Sequence, residues 1–349
     1  MAQTLYQRPK RLSTLRIGEK SPDLKVVNRI LKRLTPERIQ KEIKTIQRIK
    51  LPFELEKWVK EYEKVGSRDD FFWKWLYRAN QVVTLPGISS KYIESLRRVK
   101  TLFNMFLALL DDIADESLNK KLLEQLLRVP FEEENIDRSK LNHSEREYLD
   151  FTNRLFRYIE KRIKKYPRYQ EIKDVFEFDV RQLLNSMRYS YLVNVQPYII
   201  NRTEYWMYCS HNMQAMIDLT LDLMCFLKFP LRNLGRFREI AWQAQRMARI
   251  GNWISTWERE INKDDLTSGV IAYAIEKGFV NPASIHLEKT VLIRKIKSSN
   301  IENYFLKEWE NSYQEIRKLG KKMSVIDIQN FLKRLEKLLL MHLMSRGYK

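Results

Sequence analysis

Residues 90–116 read SKYIESLRRVKTLFNMFLALLDDIADE, an apolar run that ends in a cluster of acids. Its largest apolar residues recur at helical spacing: Leu102, Phe103, Phe106, Leu107 and Leu110. This pattern predicts one long buried helix from about residue 90 to residue 115. Acids at the C-terminal end of a helix oppose its macrodipole, so we expect a cation beside them.

The rest of the chain favours the same kind of structure. Only 9 Gly and 10 Pro occur in 349 residues, and the turn signals lie between long stretches rich in Leu, Ile, Lys, Arg and Glu. This composition predicts helices joined by short connections, and further helices are expected at about 146–166, 170–195, 203–229 and 233–262. We therefore predict an all-α fold, a single large helical bundle over residues 61–349 that is preceded by a basic, partly helical extension over residues 1–60.

The charge of the chain points to an anionic partner. The formal net charge is +20, and residues 1–50 contribute +10 of it. Nucleic acid, a membrane surface and a phosphorylated substrate all fit such a charge, which does not choose among them.

The cysteines and histidines do not follow a metal-site pattern. Cys209, Cys225 and the four histidines are scattered along the chain, without the close spacing of a zinc site. We interpret the cysteines as reduced thiols of a cytoplasmic protein. The most apolar run, residues 213–229, holds two acids and is shorter than the ~20 apolar residues of a membrane-spanning helix. No transmembrane segment is therefore expected.

The acidic cluster has the order D-D-x-x-D. Asp111 and Asp115 would lie one turn apart on one face of a helix, where two carboxylates can bind hard cations, whereas Asp112 points about 100° away. A solvated acidic helix end would give the same pattern.

A second polar stripe lies at residues 252–260, NWISTWERE. Asn252, Thr256 and Glu260 have the spacing i, i+4, i+8, which aligns an amide oxygen, a hydroxyl and a carboxylate. Three such donors suit one Mg²⁺ ion that keeps its other positions for water and a phosphate ligand. The alternative is the polar face of an amphipathic helix.

Together the two motifs resemble those of the class I terpene synthases, over about residues 60–349. DDIAD is similar to the aspartate-rich motif of this family, and NWISTWERE to its second metal motif, with Trp253 in place of the usual acidic second residue. The resemblance implies a helical bundle with a central active-site cavity and three Mg²⁺ ions, for which Mn²⁺ can substitute. It assigns the metal ligands to Asp111, Asp112, Asp115, Asn252, Thr256 and Glu260.

The same resemblance assigns residues to the diphosphate of a prenyl substrate. Arg202 follows a stretch, YIIN, that resembles the family's Tyr-Leu-x-x segment before its diphosphate-sensing arginine. Arg259 lies where the family often has a lysine that touches the diphosphate. Arg346 and Tyr348 resemble the C-terminal Arg-Tyr pair, with Gly347 inserted. The implied activity is Mg²⁺-dependent ionisation of farnesyl or geranylgeranyl diphosphate, a carbon–oxygen lyase reaction that continues by cyclisation.

Two other functions fit parts of the sequence. A chain-elongating or condensing prenyltransferase would carry a second aspartate-rich motif, and the chain has none downstream of residue 116. A basic helical nucleic-acid-binding protein would use the charge of residues 1–50 for phosphate contacts. We do not expect a nucleic-acid partner, because the acidic cluster would repel phosphates, and a homodimer is compatible with the sequence.

Two further acidic pairs require an explanation. Asp218 and Asp222 lie one turn apart in the most apolar segment, so they have structural partners, face outward or extend a polar end of the cavity. Asp264 and Asp265 are expected to cap the helix that follows them.

Overall fold

The computed structural model describes residues 24–348. Over this range the chain forms fifteen α-helices and no strand, so the predicted all-α fold is confirmed. The helices are α1 Lys25–Leu31, α2 Pro36–Gln47, α3 Phe53–Tyr62, α4 Asp70–Val83, α5 Ser90–Asp111, α6 Lys120–Leu126, α7 His143–Ile163, α8 Tyr169–Val195, α9 Arg202–Met207, α10 Ala215–Cys225, α11 Leu234–Asn262, α12 Gly269–Glu276, α13 Lys289–Ser298, α14 Ile301–Gly320 and α15 Ile328–Met344.

Local sequence sets where several helices begin. The Thr35 hydroxyl accepts a hydrogen bond from the backbone N–H of Arg38, and Pro36 occupies the first turn of α2, where its missing N–H costs no hydrogen bond. Asp69 caps α4 by accepting from the N–H of Phe72 at 2.9 Å. Such caps fix the direction in which each helix leaves its loop.

The helix predicted over residues 203–229 is broken in the structure. It divides into α9, a short 3-10 segment Cys209–Met213 and α10, and Gln214 between them has a left-handed φ of 59°. The Gln214 side chain donates hydrogen bonds to the Lys100 carbonyl at 3.1 Å and to Asp218 at 2.7 Å. These bonds stabilise a conformation that is uncommon for a residue other than glycine. No local sequence signal indicates the break of the helix at Gln214.

The centre of the core is α11, which packs most extensively against α14, α15 and α10. Trp253 and Trp257 project from α11 into this packing and are fully buried. Asn252 and Glu260 of α11 line a cavity that residues of α4 and α5 also line.

The first helices pack onto this core. The backbone N–H groups of Val26 and Val27 both donate to Glu310 of α14 at 3.0 Å, and Arg29 pairs with Glu336 of α15 at 2.7 Å. Residues 1–23 of the expected basic extension lie outside the described residues, and its boundary at residue 60 stays a prediction. Within residues 24–348, none of the helices combines the length and hydropathy needed to cross a membrane.

Candidate functional site

A cavity of about 180 Å³ lies between α4, α5, α10, α11 and α15. Charged and polar side chains gather at one end of it, where α5 ends and the C-terminal half of α11 passes. Apolar side chains line most of the remainder: Phe72, Trp75, Leu76, Ala79, Val83, Leu107, Ala108, Ala215, Leu219, Ala244, Phe331 and Leu335. Such a wall suits an apolar ligand with a charged head.

The acidic cluster forms the first side of the polar end. Asp111 is the last residue of α5, and Asp115 lies in a π-helical turn, Asp112–Ser117, rather than in the expected α-helical one. Turns of this kind recur at functional sites. Both carboxylates line the cavity. Asn194 of α8 donates to Asp115 at 3.3 Å and accepts from the backbone N–H of Leu266 at 2.8 Å, which ties this turn to the loop after α11.

The acidic side chains of this end share a buried space. Burial raises the pKa of Asp111, an effect that Arg68 opposes and Asp265 strengthens. Burial also raises the pKa of Asp115 well above its ordinary value, and the carboxylates of Asp111 and Asp265 add to that shift. Carboxylates that repel one another in this way favour the binding of a cation among them.

The second side of the polar end belongs to α11. Asn252, Thr256 and Glu260 follow one another at one-turn spacing, and all three line the cavity opposite α5. Arg249 donates to Oδ1 of Asn252 at 3.1 Å, and the Thr256 hydroxyl donates to the backbone carbonyl of Asn252 at 2.7 Å. Amide and hydroxyl oxygens each accept more than one bond, so both can still take a further ligand.

Glu260 carries an oxygen that has no partner. Its Oε2 is buried and accepts no hydrogen bond from any described residue. Burial and the nearby Asp265 raise the pKa of Glu260 to about 7, while Arg259 and Arg249 oppose the shift. A buried, unpaired carboxylate oxygen is rare and calls for a bound group.

These residues fit Mg²⁺ by the chemistry of their donors, which are all oxygens. Within residues 24–348, no three acidic, histidine or cysteine side chains come close enough to hold a metal ion by themselves. Carboxylates alone would therefore not complete the coordination of an ion here. The amide oxygen of Asn252, the hydroxyl of Thr256 or oxygens of a bound phosphate compound would supply the remaining positions.

Asp112 is placed differently from its two partners in the motif. It does not line the cavity. Its Oδ1 accepts from Nε and Nη2 of Arg68 at 2.9 and 2.5 Å, and its Oδ2 accepts from the Tyr62 hydroxyl at 2.9 Å. The assignment of Asp112 as a metal ligand stays a prediction, and both of its oxygens already accept hydrogen bonds from Arg68 or Tyr62.

Arg68 links the loop before α4 to the acidic cluster. Its Nη2 also lies 3.3 Å from Oδ2 of Asp111. Burial alone would lower the pKa of Arg68, but Asp112 and Asp111 raise it, so the guanidinium stays charged. Arg68 was not identified from the sequence, since 43 residues separate it from Asp111.

Two further basic residues line the cavity: Arg259 in the last turn of α11 and Lys263 directly after the helix. The Nε of Arg259 has no hydrogen-bond partner among the residues described. Lys263 lies nearby and pairs with Glu116 at 2.7 Å. Arg259 therefore has donors available for an anion at this end.

Arg202 lies elsewhere. Its Nε forms an ion pair with Glu276 at 3.0 Å, its Nη1 donates to the Tyr304 hydroxyl at 3.0 Å, and it does not line the cavity. In this arrangement Arg202 does not reach the polar end of the cavity, so its assignment to the diphosphate stays a prediction.

The C-terminal pair also lies outside the cavity lining. Arg346 pairs with Glu302 at 2.7 Å, and the Tyr348 ring packs against Phe71 with centroids 6.1 Å apart. Gly347 between them has φ 82°, a left-handed conformation that turns the chain after Arg346. Their assignment to the diphosphate therefore stays a prediction as well.

Asp265 and Arg249 complete the polar end of the cavity. Asp265 does not cap the next helix directly; it accepts from the N–H and hydroxyl of Thr267 at 2.9 and 2.7 Å and lines the cavity. Arg249 also lines the cavity and was not identified from the sequence. It lies three residues before Asn252, and this spacing, which places both on one helix face, is the signal that indicates Arg249 as a site residue.

The comparisons with known proteins support the fold. No family model and no curated protein matches the sequence. Two solved structures of isoprene synthase from leaves of grey poplar (Populus x canescens) match at a TM-score of 0.55 and 15% identity. The alignments cover 89% and 88% of this chain but 54% and 55% of theirs, so the chain spans about half their length.

The second of these structures holds three Mg²⁺ ions and dimethylallyl-S-thiolodiphosphate. At this identity the likeness shows the fold alone. The resemblance to the class I terpene synthases is thus confirmed at the level of the helical fold.

Proposed function

We propose that this chain is a class I terpene synthase, which ionises a linear prenyl diphosphate in the presence of Mg²⁺, cyclises the resulting carbocation and releases diphosphate. One observation carries the proposal: two oxygen-rich stretches, residues 111–115 and 252–260, line one end of a cavity whose remaining wall is mostly apolar. Farnesyl and geranylgeranyl diphosphates are the proposed substrates.

The proposed metal ligands lie on both sides of the polar end. Asp111 and Asp115 would bind from α5 and its π-helical turn, and Asn252, Thr256 and Glu260 from α11. Bound Mg²⁺ would neutralise the diphosphate as a leaving group, so that the C–O bond can break without proton transfer. The poplar structure that holds three Mg²⁺ ions supports this choice of metal.

Basic side chains orient the diphosphate. Arg259 would donate charge-assisted hydrogen bonds to its oxygens, because its Nε is buried without a partner. Arg202, Arg346 and Tyr348 are assigned by resemblance alone, and Arg202 and Arg346 would have to leave Glu276 and Glu302 to take part.

The apolar wall of the cavity would surround the carbocation once it forms. It excludes water that would quench an allylic cation. Phe72 and Trp75 are the aromatic residues of α4 in this wall, and an aromatic face stabilises a nearby cation by ~0.5–2 kcal/mol.

The test is a substrate panel. The protein is incubated with dimethylallyl, geranyl, farnesyl and geranylgeranyl diphosphates, with and without Mg²⁺, and both diphosphate release and organic products are measured. The proposal expects hydrocarbon or terpene alcohol from at least one substrate, only with the metal and without isopentenyl diphosphate. Products that require isopentenyl diphosphate would instead identify a chain-elongating prenyltransferase, and no release from any substrate would contradict both.

A further inference from the structure

Polar side chains interrupt the apolar wall at a second place, away from the metal-ligand candidates. Asn80 of α4 donates to Oδ1 of Asn104 of α5 at 2.8 Å, and Asn104 donates to Gln214 at 2.8 Å. Gln214 in turn donates to Oδ1 of Asp218 of α10 at 2.7 Å. Asn80, Asn104 and Asp218 all line the cavity.

This network lies at a depth that the body of a ligand would reach. Asn104 precedes Asp111 by seven residues on the same helix, which corresponds to about 10 Å along its axis. A prenyl diphosphate held at Asp111 by its charged head would extend its hydrocarbon part past the apolar side chains toward Asn104 and Asp218.

Asp218 is the ionisable member of the network. Its side chain is buried, and the bond from Gln214 is the one side-chain hydrogen bond it makes with described residues, so Oδ2 has no partner there. Burial raises the pKa of Asp218 to about 7, Lys100 and Gln214 oppose the shift, and Asp222 adds to it. A group with a pKa near neutrality exchanges protons efficiently.

Its neighbour Asp222 is arranged differently, although both acids are buried in α10. Asp222 forms an ion pair with the fully buried Lys100 at 2.7 Å and accepts from the backbone N–H of Leu85 at 2.9 Å. It does not line the cavity. Asp222 therefore has a structural role, and its positive partner Lys100 also lies near Asp218.

We propose that Asp218 is the catalytic base that ends the reaction by taking a proton from the carbocation. This inference rests on the proposed function. In the step, a C–H bond on the carbon next to the cationic carbon breaks and its electron pair forms the new C=C bond. The proton goes to Oδ2 of Asp218, which leaves a neutral alkene and a neutral carboxylic acid. The acid later loses its proton to solvent when the product leaves.

The test separates ionisation from termination. Asp218→Asn keeps the shape of the side chain and an oxygen for Gln214, but it removes the base. We expect it still to release diphosphate, while the share of the main wild-type alkene falls about 100-fold in favour of alcohols or other alkenes. Circular dichroism checks that the variant is folded, and Asp218→Ser serves if it is not.

Thr220→Val is the control, because it removes a buried polar group of the same helix that does not line the cavity, and its partner Asp179 keeps its ion pair with Arg238. It should keep the wild-type product pattern. An unchanged pattern in Asp218→Asn, or equal shifts in both variants, would overturn the inference while leaving the proposed function intact. A wild-type protein that releases no diphosphate from any prenyl diphosphate would overturn the proposed function, and this inference with it.

Discussion

Nη1 of Arg249 lies 3.1 Å from Oδ1 of Asn252 and donates a hydrogen bond to it, three residues apart on the same face of α11. Arg249 is itself fixed, because its Nη2 donates to the carbonyl of Thr267 at 3.2 Å. The bond restricts the orientation of the Asn252 amide, which lines the cavity. Partners that orient a metal ligand in this way contribute to metal affinity.

Replacing Arg249 by methionine should raise the Mg²⁺ concentration needed for half-maximal diphosphate release by about 10–100-fold, the usual effect of losing such a partner. A Mg²⁺ titration at saturating substrate measures it. Arg246→Met is the control, since Arg246 lies one turn earlier, pairs with Glu308 at 3.0 Å and does not line the cavity. Equal Mg²⁺ requirements in both variants would show that Arg249 does not position Asn252.

Replacing Arg68 by methionine should destabilise the fold. Arg68 is the cation that balances Asp112, and removing one partner of a buried pair costs about 3–5 kcal/mol. Urea denaturation measures the loss. The control Arg138→Met breaks an exposed pair with Asp150 and should cost at most about 1 kcal/mol. Similar losses in the two variants would contradict the assigned role of Arg68.

Two glycines should respond to alanine in opposite directions. A Cβ at Gly269 would lie 2.6 Å from the ring of Trp253, which is fully buried, so Gly269→Ala should destabilise by about 1–3 kcal/mol. A Cβ at Gly235, within α11, meets nothing within 4 Å, so Gly235→Ala should stabilise by about 0.5–1 kcal/mol. Melting temperatures that shift in the same direction would contradict the packing described for α11.

The buried carboxyl of Asp218 should make stability depend on pH. Its pKa rises from 3.8 to about 7 on folding, through burial and Asp222 and against Lys100. Between these values the folded state holds a proton that the unfolded state releases, so the free energy of unfolding falls as pH rises. The total effect is up to about 4 kcal/mol, at about 1.4 kcal/mol for each pKa unit.

Urea denaturation of the wild type and of Asp218→Asn at pH 5 and at pH 8 measures this contribution. The variant should gain stability relative to the wild type at pH 8, because an amide carries no charge to bury. Comparing the two proteins cancels titrating groups that they share. A difference that does not change with pH would mean that Asp218 keeps an ordinary pKa in the folded protein.

The sequence predicted what depends on short spacings. The long helix from about residue 90 followed from the spacing of its large apolar residues, and α5 begins at Ser90. The stripe of Asn252, Thr256 and Glu260 followed from the period of the helix, and the structure places all three on the cavity wall. Each of these features is determined by neighbours within a few turns.

Features that depend on distant contacts were not predicted. The bond between Arg68 and Asp112 joins residues 44 positions apart, and no periodicity links them. Asp218 and Asp222 have the same local pattern, yet one lines the cavity and the other pairs with Lys100. Only the packing of α10 against α5 distinguishes them.

Diffraction from crystals soaked with Mn²⁺ and inorganic diphosphate tests the central claim most directly, because anomalous scattering locates the ions. We expect ions at the polar end of the cavity, with oxygens of Asp111 or Asp115 on one side and of Asn252, Thr256 and Glu260 on the other. Ions bound only elsewhere on the molecule, or no bound ions at saturating Mn²⁺ and diphosphate, would contradict it.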